Sequence, residues 1–323
     1  MSIPVSVIAT VKNEAASIQT LLDSLARQTH RPDDVVLVDG GSTDGTLQIL
    51  KRPGPLGASL RVFSSPGANI SEGRNRAIRE AQHDLLLVTD AGVALPDDWV
   101  ERLVAPFEGS DDVAMVGGFF ASAPTSLFEW ALGATTLPLV DEINPATFMP
   151  SHRSVAFRRS IWEALGGYPE WLDYCEDLLF DMRLRVAGYH VVFEPRATVA
   201  FQPRSNLRAF ALQYLRYARG DGKARILLQR HLIRYAVYAG AVFLGAIMVR
   251  VPAFRGAMGF SAGGLAVAYC RQPWLRLMAT RGDRPLIALL AAGALVPVLR
   301  LTGDLAKMIG FPAGLRSVRV SND

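Results

Sequence analysis

The chain has 323 residues, a formal net charge of +4 and a hydrophobic content of 50%. Its mean hydropathy of +0.20 is high for a soluble protein, and the apolar excess is concentrated after Leu232. Two cysteines, Cys175 and Cys270, exclude a disulfide framework and a cysteine-based zinc site. No DNA- or RNA-binding motif is found, so we expect no nucleic-acid partner.

Short apolar runs alternate with helical patterns in the first third of the chain. The predicted strands cover residues 4–11, 33–39, 59–65 and 83–92, and the predicted helices cover residues 13–28, 71–82 and 96–107. Strands that alternate with helices predict an α/β fold with a mostly parallel, Rossmann-like sheet.

Acidic residues lie at or just beyond the ends of three of the four apolar runs, namely Glu14, Asp39 and Asp90. A single aspartate at such a place is more often a loop or cap residue than a ligand-binding one. Ligands of doubly wound sheets, however, bind outside the carboxyl ends of the strands, where these acids should lie. Neither a glycine fingerprint nor a P-loop motif follows the first strand, which argues against dinucleotide and P-loop chemistry.

The next stretch of the chain is less regular. Residues 153–170 are typical of a strand, a short helix and a Gly-Gly turn. Glu176 and Asp177 then begin a helix that Gly188 ends. Acids favour helix N-termini through the macrodipole, but one of this pair could also act as a general base. Residues 206–230 predict a long basic helix, or a pair of helices interrupted near Gly220 and Gly222.

Three apolar segments follow, at residues 233–251, 257–269 and 285–298. Each is near or below the ~20 residues of a spanning helix, and a buried helical bundle is the alternative. No polar face recurs at helical period, so we favour membrane insertion. The arginine-rich residues 271–284 are then expected to form a cytoplasmic loop. Residues 301–315 are expected to lie along the membrane interface.

Several motifs together resemble glycosyltransferase family 2, inverting enzymes of the GT-A fold, over about residues 3–219. The matching segments are SVIATVKNEAASI (6–18), VVLVDGGSTDGT (35–46), SEGRNRAIREA (71–81), SVAFRRSIWEALGGYPE followed by CEDLLFDMRLRVAGY (154–189), and QYLRY (213–217). The last segment has Tyr217 where the family's Gln-x-x-Arg-Trp motif has tryptophan, and Ala9 stands where proline is usual. The segments follow one another in the family's order.

This resemblance implies roles for individual residues. It implies that a nucleotide-sugar donor is bound at Thr10, Glu14 and Asp39 for the base and ribose, and near Arg74 for the phosphates. It also implies that Asp90 is the first acid of the Asp-x-Asp metal motif and that Asp177 is the catalytic base. Residues that would hold the diphosphate or the acceptor are Glu176, Gln213, Arg216 and Tyr217.

The metal motif departs from the family's pattern, because Gly92 stands where the second aspartate is expected. Asp90 could hold Mg²⁺ or Mn²⁺ together with the donor diphosphate and water. Another residue could assist, and His152 is a candidate, although a polar loop histidine is the commoner interpretation. Alternatively, arginines could neutralise the leaving group with little dependence on a metal.

We therefore predict a GT-A catalytic domain at residues 1–230 and membrane-inserted or membrane-associated helices at residues 231–323. The predicted reaction moves a sugar to a hydroxyl acceptor, lipid-linked at the cytoplasmic membrane face, in cell-surface polysaccharide synthesis. The catalytic domain should face the cytoplasm. Alternatives are a polyprenyl-phosphate glycosyltransferase and a non-catalytic subunit that binds sugar nucleotides. The sequence leaves the oligomeric state open.

Overall fold

The computed structural model describes residues 3–251 and 255–317. The chain divides into two compact units. The first unit joins Met1–Ala121 with Leu139–Gln202, and the second joins Ser122–Pro138 with Pro203–Asp323. By packing, the helix that follows Pro203 therefore belongs with the C-terminal helices. The predicted boundary at residue 230 separates a catalytic region from a membrane-contacting region. Packing does not test that distinction, so the boundary stays a prediction.

An eight-stranded sheet runs through the described part of the first unit. Its strands are β1 (Val5–Val11), β2 (Asp34–Asp39), β3 (Leu60–Ser64), β4 (Leu85–Val88), β5 (Val93–Ala94), β6 (Val113–Ser122), β7 (Val155–Arg158) and β8 (His190–Phe201). They lie in the order β3-β2-β1-β4-β7-β6-β8-β5. The first four strands pair in parallel, whereas β7 pairs antiparallel with both β4 and β6.

The helices of the described residues follow in chain order. They are α1 (Ile18–Ala26), α2 (Thr46–Leu50), α3 (Ile70–Glu80), α4 (Trp99–Glu108), α5 (Leu127–Thr136), α6 (Arg159–Ala164), α7 (Glu176–Val186), α8 (Leu207–Ala224), α9 (Leu228–Arg250), α10 (Arg255–Ala279) and α11 (Leu286–Ser317). The predicted strands and helices of the first third all form. Gly188, with φ of 79°, directly follows the C-cap of α7 as expected.

Apolar residues on both faces of the parallel strands form the core of the first unit. One cluster includes Val7, Val35 and Leu87, and the other includes Ile8, Val36 and Leu86. Because alternate residues of one strand enter opposite clusters, the sheet is covered on both faces. The strands β5 and β6 and the helices α2 and α5 are additions that the sequence patterns did not predict.

Residues 206–230 were expected to form one long helix or a pair interrupted near Gly220 and Gly222. They form two helices, with the break at residues 225–227, and α8 runs through both glycines. Gly222 of α8 and Gly310 of α11 allow close packing of the two helices. A side-chain carbon at Gly222 would collide with the carbonyl of Phe311, and one at Gly310 would collide with the carbonyl of Leu215. The backbones of α8 and α11 therefore approach one another closely, as small residues permit.

Two of the described helices are long and apolar enough to cross a membrane, α9 and α11. None of the most apolar stretch of α9 is buried, and 22% of that of α11 is buried. The structure differs from the sequence expectation in two places. Residues 271–279, expected in a loop, continue α10, and residues 301–315, expected to lie on the interface, continue α11. Only the short connection after Ala279 remains as a turn.

Candidate active site

The carboxyl ends of β2, β1 and β4 lie side by side and form one rim of the sheet. Val11 at the end of β1 pairs with Asp39, and the backbone N–H of Thr89 donates to the carbonyl of Ile8. Asp39, the last residue of β2, and Asp90, two residues after β4, therefore lie on either side of β1. This is the edge at which such sheets bind their ligands.

Helix α3 brings an arginine to this rim. A capping box fixes the start of the helix: the Asn69 side chain accepts from the backbone N–H of Glu72, and the Glu72 carboxylate accepts from the backbone N–H of Asn69. One turn later, the Gly73 backbone packs against the side chain of Thr10. The adjacent Arg74 is thereby directed toward the ends of the strands.

Arg74 joins two of the predicted motifs. Its Nη1 donates to Oε1 of Glu176 at 2.7 Å, and its Nη2 donates to Oδ1 of Asp90 at 3.0 Å. The Arg74 side chain is only 2% exposed. Burial would lower the pKa of its guanidinium, but the carboxylates of Asp90 and Glu176 raise it further, so the charge is retained. One buried cation therefore connects the metal-motif acid with the Glu-Asp pair.

A second arginine, Arg153, contacts the same aspartate and was missed by the sequence reasoning. Its Nε lies 3.4 Å from Oδ2 of Asp90, and its backbone carbonyl accepts from the hydroxyl of Thr89 at 2.9 Å. Arg153 lies beside Asp90 because of the direction of β7. Because β7 runs antiparallel to β4, the residues that precede β7 lie where β4 ends.

His152 is buried, in contrast to the polar loop position that we considered the commoner interpretation. Its Nε2 lies 2.9 Å from Oδ1 of Asp181, and its Nδ1 contacts the hydroxyl of Tyr168. Both ring nitrogens are therefore engaged by protein groups. A metal ion could bind His152 only after one of these contacts was broken, which argues against the histidine as a ligand.

The two acids at the start of α7 differ in protonation. Burial and the neighbouring Asp177 raise the pKa of Glu176 to about 7, against the opposing effect of Arg74. Burial would also raise the pKa of Asp177, but His152, Arg74 and Arg153 together lower it below its ordinary value. Of the pair, Asp177 is thus the acid that stays ionised near neutral pH. An ionised carboxylate can accept a proton.

Asp90 by itself is a weak site for a cation. Within residues 3–251 and 255–317, no group of three or more histidine, cysteine or acidic side chains is arranged to hold a metal ion. Both oxygens of Asp90 face arginines. Mg²⁺ is nevertheless often bound by one or two carboxylates together with substrate phosphates. The side chains present could therefore hold a cation only if Asp90 supplied the one carboxylate and the donor diphosphate supplied further ligands.

The residues expected to bind the base and ribose lie at or near the rim, but their roles remain predictions. Asp39 accepts from the backbone N–H groups of Gly41 and Ser42 at 3.1–3.3 Å, so its carboxylate also shapes the loop. The Glu14 carboxylate accepts from the hydroxyl of Ser17. A ribose hydroxyl would have to share these acceptor oxygens.

The last motif lies in the second unit, on α8. There the amide Nε2 of Gln213 donates to the hydroxyl of Tyr217 at 2.8 Å. Arg216 belongs to the same helix. Their predicted contact with the diphosphate or the acceptor stays a prediction.

A surface depression of about 580 Å³ lies elsewhere on the first unit. It is lined by Trp162, Trp171 and Glu170, among others. It includes Asn75 but neither Asp90 nor Asp177. We place the chemistry at the rim, because the charged groups of three motifs meet there.

Comparison with known proteins agrees with this geometry. The profile of the family described as Glycosyl transferase family 2 matches residues 6–166. The succinoglycan biosynthesis protein ExoA of Rhizobium meliloti is 32% identical over 221 residues, which are 65% of this chain and 67% of that relative. The chain belongs to glycosyltransferase family 2. The family, the Rossmann-like α/β fold and the assignment as a glycosyltransferase, all predicted from the motifs, are therefore confirmed.

Two further similarities are more distant. The O-antigen chain rhamnosyltransferase WbaN of Salmonella anatum is 24% identical over 199 residues, or 57% of this chain and 62% of that relative. The mannosyltransferase PcManGT of Pyrobaculum calidifontis, solved with GDP-Man and Mn²⁺, has a TM-score of 0.56 and 21% identity. This likeness covers 100% of the present chain and 89% of the other, and at this identity it shows the shared fold.

Proposed function

We propose that this glycosyltransferase moves a sugar, with inversion, from a nucleotide-diphosphate donor to a hydroxyl acceptor. The observation that carries the proposal is the bridge formed by Arg74 between Asp90 and Glu176. It joins Asp90, the acid of the metal motif, to Glu176, which directly precedes the candidate base Asp177, so both motifs can contact one small substrate. The mannosyltransferase of similar fold, bound to GDP-Man, supports the donor class.

Asp177 is the proposed general base. An inverting single displacement needs no enzyme nucleophile, because the acceptor oxygen attacks the anomeric carbon opposite the leaving group. The acceptor hydroxyl has a high pKa, so a base must take its proton as the new bond forms. The low pKa of Asp177 keeps its carboxylate ionised for this step.

The departing nucleoside diphosphate gains negative charge, which the site must stabilise. Asp90 is the residue that would hold Mg²⁺ or Mn²⁺, and such an ion supplies Lewis-acid stabilisation of the leaving phosphate when bound. The Mn²⁺ in the mannosyltransferase of similar fold supports the use of a divalent cation. On α8, Gln213 and Arg216 are proposed to help hold the diphosphate or the acceptor.

The proposed acceptor is a lipid-linked sugar at the cytoplasmic face of the membrane. Two features support it: the apolar helices α9 and α11, and relatives named for succinoglycan and O-antigen synthesis. The product would then extend a cell-surface polysaccharide. Polyprenyl phosphate itself is the second candidate acceptor, and for it a phosphate oxygen would replace the hydroxyl as the attacking group.

The test is release of nucleoside diphosphate from a panel of nucleotide sugars, measured in detergent with and without membrane lipid extract. We expect release that depends on the extract and on an ionised Asp177. Digestion of the extract with a phosphatase separates the acceptors, because only polyprenyl monophosphate loses its attacking group. No release from any donor would favour a non-catalytic subunit that binds sugar nucleotides, an alternative motivated by Gly92.

A further inference from the structure

Arg153 is held in a fixed position at the rim. Its guanidinium carbon lies 4.8 Å from the ring centroid of Phe201 and 5.3 Å from that of Phe120. Its Nη1 donates to the hydroxyl of Ser151 at 2.7 Å. Cation–π contacts of this kind orient a guanidinium without neutralising it. The Nε side of the group is directed at Asp90.

The two arginines that contact Asp90 differ in their access to a ligand. The side chain of Arg74 is 2% exposed and is engaged by two carboxylates, whereas that of Arg153 is 20% exposed. Arg74 therefore has little surface left for a phosphate group. Arg153 combines a positive charge, a fixed orientation and an accessible surface beside the acid of the metal motif.

Position 92 lies two residues beyond Asp90 and lacks a carboxylate. A side-chain carbon added at Gly92 would meet no atom within 4 Å, so the space for an acidic side chain is open. Because position 92 is glycine, the site carries one negative charge fewer than the same site would with an aspartate there. A diphosphate can approach such a site with less repulsion before any cation binds.

We propose that Arg153 binds the diphosphate of the nucleotide-sugar donor and supplies positive charge beside Asp90 that does not depend on a bound cation. The inference rests on the proposed function, since it assumes a nucleotide-diphosphate donor. Its consequence concerns binding: the protein retains a nucleoside diphosphate when divalent cations are chelated. Guanidinium groups suit this task because their planar N–H donors match phosphate oxygens.

Calorimetric titration of the detergent-solubilised full chain tests the proposal. UDP, GDP and dTDP are compared with uridine, guanosine and thymidine, first in EDTA and then in Mn²⁺. We expect the wild type to bind one nucleoside diphosphate in EDTA. Arg153→Gln should weaken that binding about tenfold, as for the loss of one charge-assisted contact, and leave the matching nucleoside unaffected.

Two variants serve as matched comparisons. Arg153→Lys keeps the charge but loses the planar donor group, so its affinity should lie between those of the wild type and Arg153→Gln. Arg196→Gln removes an arginine that pairs with Glu194, and it should leave both affinities unchanged. Gly92→Asp restores the second acid. It should weaken binding in EDTA and increase the ratio by which Mn²⁺ strengthens binding.

The outcomes distinguish a failure of the inference about Arg153 from a failure of the proposed function. If the wild type binds none of the nucleotides, the proposed function is wrong and the inference falls with it. If the wild type binds a nucleoside diphosphate and Arg153→Gln binds it equally well in EDTA, only the inference is overturned. If Arg153→Gln loses the nucleoside as well, Arg153→Lys decides: restored preference for the diphosphate supports the proposal, and its absence overturns it.

Discussion

At the residue scale, the site contains two adjacent acids whose pKa values are shifted in opposite directions. Asp177 is ionised, and the pKa of Glu176 is raised to about 7. We predict that Asp177→Asn lowers turnover by about 10²–10⁴-fold, the usual contribution of a general base, with donor affinity nearly unchanged. Nucleoside diphosphate release and donor titration measure the two effects. Asp111→Asn removes a fully exposed acid and is the control; near-normal turnover of Asp177→Asn would show that the base lies elsewhere.

A second prediction at this scale concerns stability and pH. Burial raises the pKa of Asp181 to about 6, although His152 opposes the shift. The folded state therefore holds a proton that the unfolded state releases near pH 4, so this contribution to stability is present below pH 4 and is lost as pH rises to 6. The contribution is roughly 3 kcal/mol, because raising this pKa from 3.8 to about 6 changes the free energy of unfolding by about 1.4 kcal/mol for each pH unit. Between pH 4 and pH 7, the free energy of unfolding should fall less steeply for Asp181→Asn than for the wild type. Parallel curves for the two proteins would contradict this.

At the element scale, strand direction explains what sequence reasoning could and could not find. Apolar runs that end in an acid identified β2 and β4, and their parallel pairing with β1 put Asp39 and Asp90 on one rim. The residues before β7 were not identifiable in this way. A four-residue apolar strand has no local feature that reveals an antiparallel direction, so Arg153 was missed and His152 was placed in a polar loop.

The packing of α8 against α11 gives a prediction at the same scale. A methyl group at Gly310 would overlap the carbonyl of Leu215, and the glycine at position 222 faces α11 in the same way. We expect Gly310→Ala to destabilise the helix pair by roughly 1–3 kcal/mol, the usual cost of overpacking. Thermal unfolding in detergent measures the effect. Gly240→Ala in α9 is the matched control, because its methyl group would meet no atom within 4 Å; equal effects of both substitutions would rule out close packing as the reason for the glycine.

At the scale of the whole molecule, the exposed apolar surface of α9 favours contact with lipid over contact with water. Val242 is 74% exposed and Phe243 is 67% exposed, and both lie in a helix of 23 residues. Large apolar side chains that face outward along such a length are expected where lipid covers them. The basic residues that follow α10 are then expected on the cytoplasmic side, as positively charged loops usually are.

Charged substitutions on α9 test this arrangement. An aspartate near the centre of a spanning helix costs about 2.5–3.5 kcal/mol in membrane insertion, so Val242→Asp together with Phe243→Asp should move much of the protein out of the alkali-resistant membrane fraction. Val186→Asp is the matched control, because Val186 is 90% exposed at the end of α7 in the first unit and needs no lipid. Membrane extraction at alkaline pH followed by immunoblotting measures the distribution. A double variant that stays in the membrane as fully as the control would show that α9 is not inserted.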